Sequence, residues 1–296
     1  MSARTNIWRV LLTAGCLLVP CSFGRADDTN PPVIATPPVT ISPPAPTAPP
    51  PTDADRFFTQ YARAVQLVRR NSHQAASITM DLLWRNLGTS PWFEIALLKH
   101  GELNEVSNPR VASEDYDLLR KRVENAPYFQ SNAPHAAVFR AALLGTVMRG
   151  IDRIRILRVR DALDRYHIRY QQYPESLVKL SIFNYIDLED IYNSEGRFFH
   201  YTPTGQLFTP VISYQRYDLE ALPPEPFYVT SPKVDGTTRM DEKSNKFAAL
   251  IRVPGRMDPQ RVVEDQTLDG YLIAAIAAGG AVVCTSDRVL VLPVPQ

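Results

Sequence analysis

Five histidines, His73, His100, His135, His167 and His200, are the side chains able to exchange a proton near neutral pH, and each stands alone in the sequence. A zinc-binding helix would need His-Glu-x-x-His, acyl transfer a Gly-x-Ser-x-Gly elbow, and phosphate binding a glycine-rich loop ending in Gly-Lys-Ser/Thr. None of these runs is present. The isolated histidines therefore read as surface or capping residues. Oxygen donors are densest at "DLED", Asp187–Asp190, with Asn193 and Glu195 following. Carboxylates and amides suit calcium in kind, but their spacing is not that of an EF-hand loop, and the stretch reads as a solvated acidic loop. Cys284, in "AVVCTSDRVLVLPV", falls at an apolar strand position and reads as a small buried hydrophobe rather than a reactive thiol. No catalytic residue, cofactor site or metal ligand is expected from these residues, and the chain is not read as an enzyme.

The next most conspicuous side chains are arginines, and a long helix must position them. The pattern predicts a helix from about Pro134 to Tyr170, with Ile156, Val159, Leu163, Tyr166 and Tyr170 on one face. Around that stripe, Arg155, Arg158, Arg165 and Arg169 are the candidate partner-binding residues, suited to an acidic protein or to acidic lipid headgroups. Asp152, Asp161 and Asp164 are interleaved with them, so a solvated face with local ion pairs is the preferred reading. The helix must stop near Tyr173, because Pro174 disfavours helical geometry in the residue before it.

Four shorter helices are expected before this one. The first has Thr52 or Asp53 as N-cap and apolar residues at Phe57, Tyr61, Val65 and Val68. The second and third end at Gly88 and Gly101, and the fourth opens at Ser113 and stops before Pro127. Beyond Pro174 the period becomes two, with a hairpin turn predicted at Pro203-Thr204-Gly205. After Pro223-Pro224 a β-rich block follows, punctuated at Gly270, Gly279-Gly280 and Ser286-Asp287, as in a small antiparallel sandwich or barrel. The apolar run Tyr271–Ala278 is too short to cross a bilayer and reads as a buried strand. The fold class is α+β, with a helical domain over 54–222 and a small antiparallel all-β domain over 223–296.

The N-terminus has Arg4 and Arg9 ahead of an apolar run from Val10 to Val19 and a small-x-small site at Gly24-Arg25-Ala26. That run falls short of the ~20 residues of a membrane span, so residues 1–26 read as a cleaved signal peptide and the protein as periplasmic or extracellular. The alternative is a lipoprotein signal ending at Cys16, which would bring membrane contact. Residues 27–53 form a proline-rich linker, extended and unable to build a core. Losing the leader's three arginines reduces 32 basic residues to 29 against 31 acidic ones, a net charge of about −2, which is no footprint for nucleic acid. Cys16 and Cys21 would also be lost, leaving Cys284 with no intrachain partner.

"ALDRYHIRYQQYPESLVKL" at Ala162–Leu180, followed by "DIYNSEGRFFHYTPTG" at Asp190–Gly205, resembles the globular portion of the major pseudopilins of type II secretion systems. It also resembles a related module of exported bacterial proteins. That family's pattern is a helix ending in Tyr-Pro, a short Leu-containing helix, an Asp-containing loop with an aromatic, and a strand ending in Tyr. These features fall here on Tyr173-Pro174, Leu177 and Leu180, Asp190 with Tyr192, and Phe199 with Tyr201, within a module spanning about 160–205. Asp190 is followed by Ile191 where the family has proline, no family-type calcium loop can be placed, and the methylated hydrophobic helix of a pilin has no counterpart. The resemblance thus implies a docking module rather than a polymerising subunit.

The C-terminal block is similar to the periplasmic β-domain of inner-membrane secretion and pilus-assembly proteins that contact the outer-membrane secretin. The counterparts are Ala249–Val253, Gly270-Tyr271, Ala275-Ile276 and Val282 through Leu292. Together the resemblances imply a non-catalytic exported envelope protein, an accessory or scaffold of a type II secretion or type IV pilus-like apparatus, with a secretin or pilus component as partner. The alternative is an exported hydrolase or ligand-binding protein whose site is assembled from distant residues.

Overall fold

Thr52 opens the folded chain as a reciprocal cap. Its hydroxyl accepts from Asp55 N at 3.2 Å while its own N–H donates to Asp55 Oδ2 at 3.1 Å, a capping box that stabilises the helix by about 1 kcal/mol. The computed structural model describes residues 51–131, 134–208, 211–241 and 246–295. The expected signal peptide, with Cys16, and the expected linker up to residue 50 lie outside the described residues.

The four short helices are α1 (Asp53–Arg69), α2 (His73–Asn86), α3 (Trp92–Asn104) and α4 (Pro109–Asn125). The long helix α5 spans Pro134–Tyr170, and its 37 residues make it about 55 Å long. It ends with Gln171 in the left-handed region at φ 57°, two residues ahead of Tyr173-Pro174. A short helix α6 follows at Leu177–Ile182.

Three helix boundaries differ from expectation. The second helix stops at Asn86, and Gly88 and Thr89 instead donate their N–H groups to Asp53 Oδ2 at 3.2 and 3.0 Å. The Thr89 hydroxyl adds a third bond at 2.6 Å, and this donor, with the two backbone bonds and Arg56, holds the Asp53 carboxyl below its usual range. Gly101 does not end α3, which continues to Asn104. Its missing Cβ is required by a neighbour, since a methyl there would lie 2.8 Å from the Tyr116 ring. Gly150 of α5 does the same from the other side, at 2.4 Å, so Tyr116 is sandwiched between two helices that only glycine lets approach. Finally, α4 opens four residues before Ser113, at Asn108-Pro109, where the Asn108 side chain accepts from Val111 N.

Among the described residues nine strands follow in three antiparallel sheets, giving the α+β class. The first sheet pairs β1 (Tyr201–Phe208) with β2 (Val211–Leu219). Pro203-Thr204-Gly205 is not the turn but the middle of β1, with a bulge between Thr204 and Gly205, and the connection falls at residues 209–210, outside the described residues. A Cβ on Gly205 would meet Tyr214 at 2.8 Å and Ile212 at 2.9 Å, so the glycine answers cross-strand crowding. Proline is tolerated because a two-stranded ribbon leaves every strand one free edge.

The second sheet is β3 (Lys233–Arg239), β4 (Phe247–Arg252) and β5 (Gln260–Val262). The third is β6 (Thr267–Leu268), β7 (Tyr271–Ala277), β8 (Gly280–Cys284) and β9 (Val289–Pro293). Its two faces have different neighbours. Leu272, Ala274, Val282, Cys284, Val289 and Val291 join the core of α1–α4 and the first half of α5. Ile273, Ile276, Ala281, Val283 and Leu292 pack against Val234, Ala249, Ile251 and Val262 of the second sheet. Burial on both faces explains why β7 is apolar along its whole length rather than alternating. The expected boundary at 222/223 therefore has the largest hydrophobic cluster on both of its sides. A separate cluster, built on Ile156, Val159, Leu163 and Tyr166, lies along the second half of α5. Among the described residues no helix is long and apolar enough to cross a membrane.

Candidate docking site on the long helix

The second half of α5 presents its apolar stripe to a module made of α6, the 185–199 loop and the β1–β2 ribbon. Leu177 and Leu180 of α6, Ile191 and Phe199 of the loop and Leu219 of β2 are buried against it. Tyr173 closes the helix end: its ring stacks on His167 at 4.4 Å and meets Tyr217 edge-on at 4.8 Å, while its N–H donates to Tyr214 O at 2.8 Å. The Pro174 carbonyl accepts from the Tyr201 hydroxyl at 2.7 Å, and burial pushes that phenol above its usual range. Tyr192 bridges to Phe198, their rings 4.3 Å apart, and Phe199 N donates to Ile191 O at 3.2 Å. All eight residues of the expected motif thus lie in or beside one small core.

The acidic loop is tied to α5 by three polar clamps. Arg158 Nη1 lies 3.0 and 3.2 Å from the two Asp190 oxygens, and Arg155 Nη1 donates to Tyr192 O at 3.1 Å. Asp152 accepts from both Ser194 N and Ser194 Oγ, at 2.6 and 2.8 Å. Arg165 donates to Tyr185 O at 2.9 Å and pairs with Asp161 one turn away, while Arg169 sits over the Tyr170 ring. Between α5 and the loop a recess of about 620 Å³ is lined by Arg158, Asp161, Arg165, Tyr185, Asp187 and Asp190. Two guanidinium groups and three carboxylates of opposite sign on one rim can exchange their internal partners for those of an incoming charged surface. Among the described residues no group of three or more histidine, cysteine or acidic side chains is arranged to hold a metal ion.

The partners of several further polar groups are not visible in the sequence. Arg149 and Arg153 of α5 turn into the fold. Arg153 forms a two-pronged pair with Glu105, both bonds 2.6 Å, and Glu105 also accepts from the Tyr116 hydroxyl. Arg149 reaches Glu225 at 3.2 Å and Asp287 at 3.0 Å. These partners are 48 to 138 residues away, beyond any local pattern.

His100, expected at the surface, is buried. Its Nδ1 lies 2.7 Å from Asp115 Oδ2 and its Nε2 lies 3.4 Å from Ser77 Oγ, a serine–histidine–aspartate sequence across α2, α3 and α4. The serine hydroxyl donates more closely to Asn104 Oδ1, at 3.1 Å, and Asn104 returns a bond to His100 O at 2.8 Å. Burial pushes the Asp115 carboxyl above its usual range, although the His100 bond opposes this. Ser77 lies beyond the first turn of α2, where ladder bonds occupy the backbone N–H groups that an oxyanion hole would need. The arrangement ties three helices together through otherwise costly buried polar groups. Comparison of the chain with protein-family models, with curated proteins and with solved structures finds no match.

Proposed function

We propose that the protein is a non-catalytic, exported component of the cell envelope that works by protein–protein docking, as an accessory or scaffold of a type II secretion or type IV pilus-like apparatus. The observation that carries this reading is the module on α5, where the residues behind the pseudopilin resemblance build a core of their own beside a rim of mixed charge. A secretin or a pilus component is the partner, and the periplasm or cell exterior the compartment. The test places a photo-crosslinking side chain at Asp161 or Asp187 in the native host and identifies adducts in detergent-solubilised envelopes. An adduct with a secretin or pilus-assembly protein is expected; a folded, correctly exported protein that yields none overturns the reading.

A second reading, an exported hydrolase, is favoured by the Ser77–His100–Asp115 alignment. A fluorophosphonate probe decides between them. Stoichiometric labelling at Ser77, lost in Ser77→Ala, supports the hydrolase, and an unlabelled serine removes it.

A further inference from the structure

The helix pair α1–α2 has one face packed and one face open. The packed face buries Phe57, Tyr61 and Ala64 of α1 with Ala76 and Met80 of α2 in the main core. The two helices are antiparallel, since Gly88 and Thr89, just past the end of α2, reach back to Asp53 at the start of α1. Between them lies a groove of about 780 Å³, which runs from Asp55 to Leu67 on α1 and from Ala75 to Asn86 on α2. At the rise of an α-helix, that stretch of α1 makes the groove about 18 Å long. Leu67 and Leu83 line it, and Ile78 and Leu82 stand one turn apart on its α2 wall, 54% and 58% exposed. The polar groups of that wall turn back on their own helix: Thr79 Oγ1 donates to Ala75 O at 2.8 Å and Asn86 Nδ2 to Leu82 O at 2.6 Å. Water over the α2 wall therefore faces a seam of apolar side chains.

The α1 wall carries charge of one sign. Arg56 and Arg63 line it one heptad apart, and Arg70, the C-cap residue, repeats the interval. Among the described residues neither Arg63 nor Arg70 pairs with a carboxylate, and Arg56 reaches Asp53 Oδ1 at 3.9 Å. Asp55 also lines the groove, but its carboxylate already accepts from Thr52 N and Thr52 Oγ1 at 3.1 and 2.7 Å. Positive charge at heptad spacing beside an apolar seam is the arrangement with which one helix of a coiled coil selects another.

We propose that this groove receives an amphipathic, acidic helix of a partner protein. Its apolar stripe packs on Leu67, Ile78, Leu82 and Leu83, and its acidic side chains, spaced by heptads, meet Arg56 and Arg63. Such a helix gains the burial of Ile78 and Leu82 and supplies the counter-charge that the α1 wall lacks. A basic helix of the same shape is disfavoured by like charge along the whole wall. The groove is concave, so a flat lipid surface would touch its rim and leave its floor wet. It shares no lining residue with the recess beside α5, so its test stands apart from the reading of the module.

The test is a fluorescence anisotropy titration of the purified protein with a labelled, end-blocked helical peptide of about 18 residues, long enough to fill the groove. Leucine occupies the first and fourth position of each heptad, and glutamate the fifth and seventh. A second peptide carries lysine in place of every glutamate, and phosphatidylglycerol vesicles stand for a lipid surface. Saturable binding of the acidic peptide, at least tenfold tighter than of the lysine peptide and weakened by added salt, is expected. Arg63→Glu should reduce that preference at least tenfold. Leu82→Asp, at an exposed position, should lower affinity for the acidic peptide at least tenfold with the melting temperature kept. No binding at submillimolar concentration, equal binding of the two peptides, binding of vesicles in place of the peptide, or full affinity in Leu82→Asp overturns the proposal. If Leu82→Asp does not fold, Arg63→Glu decides alone, and an unchanged preference in it refutes the site.

Discussion

Replacing Arg153 by methionine tests how the helical bundle is held to α5. Arg153 and Glu105 are 5% and 3% exposed, and their two bonds of 2.6 Å leave no room for water. Methionine keeps the stem and the packing but strands Glu105 in the core with the Tyr116 hydroxyl as its main remaining donor. Breaking a buried ion pair on one side costs about 3–5 kcal/mol, a large share of the ~5–15 kcal/mol that holds a domain folded. For a folded body of this size, that corresponds to a fall in melting temperature on the order of 10 °C. Urea melts followed by circular dichroism would measure the change. The double variant Arg153→Met with Glu105→Gln removes both charges, keeps an acceptor for Tyr116, and should recover about half of the loss or more. A single variant costing under about 1 kcal/mol, or a double variant no better than the single, would refute the claim that an uncompensated charge is the cause.

Burial raises the Glu102 carboxyl from its ordinary range to about 7, with Lys99 acting in the opposite direction. The folded protein therefore holds this proton more tightly than the unfolded chain, so the associated stability is full below pH ~4.5 and lost as pH rises to about 7. The loss is about 3 kcal/mol, and urea melts across that window should show it in the wild type but not in Glu102→Gln. Tyr173→Ala with Pro174→Ala removes the ring between His167 and Tyr217 and the fixed turn that accepts Tyr201. A loss of about 2 kcal/mol is expected from the half-buried aromatic and the freed backbone, and an unchanged melting temperature would contradict the role given to the turn. Gly150→Ala drives a methyl into the Tyr116 ring and should cost about 1–3 kcal/mol in the same assay, where a neutral result would show that α4 can simply move aside.

The features that sequence makes legible are those written locally. Tyr173-Pro174 punctuates α5, its second half carries an apolar stripe at Ile156, Val159, Leu163 and Tyr166, and the helix extends over Pro134–Tyr170 as the pattern predicts. The unbroken apolar run from Tyr271 marks a strand covered on both faces. Glycines misled where their purpose is a distant neighbour. Gly101 resembles a helix stop and Gly205 a turn, yet one makes room for Tyr116 and the other for Ile212 and Tyr214. The site residues divide in the same way. Tyr173, Leu177, Leu180 and Phe199 belong to a contiguous motif, whereas the pairing of Arg158 with Asp190 spans 32 residues and that of Arg153 with Glu105 spans 48. A cavity lined by Val68, His73, Glu102 and Phe227 collects its walls from four separate segments, and no periodicity along the chain encodes that convergence.

One helix serves two hydrophobic clusters, and this has a consequence for any attempt to divide the chain. The first half of α5 is covered partly by strands that arrive more than a hundred residues later, at Leu272 to Val291. A polypeptide severed at 222 would release two fragments with matching raw surfaces, neither with a finished interior. They would be candidates for complementation when mixed rather than for independent life, and the half bearing the module would wait for its last strands before α5 had a finished bed to lie on.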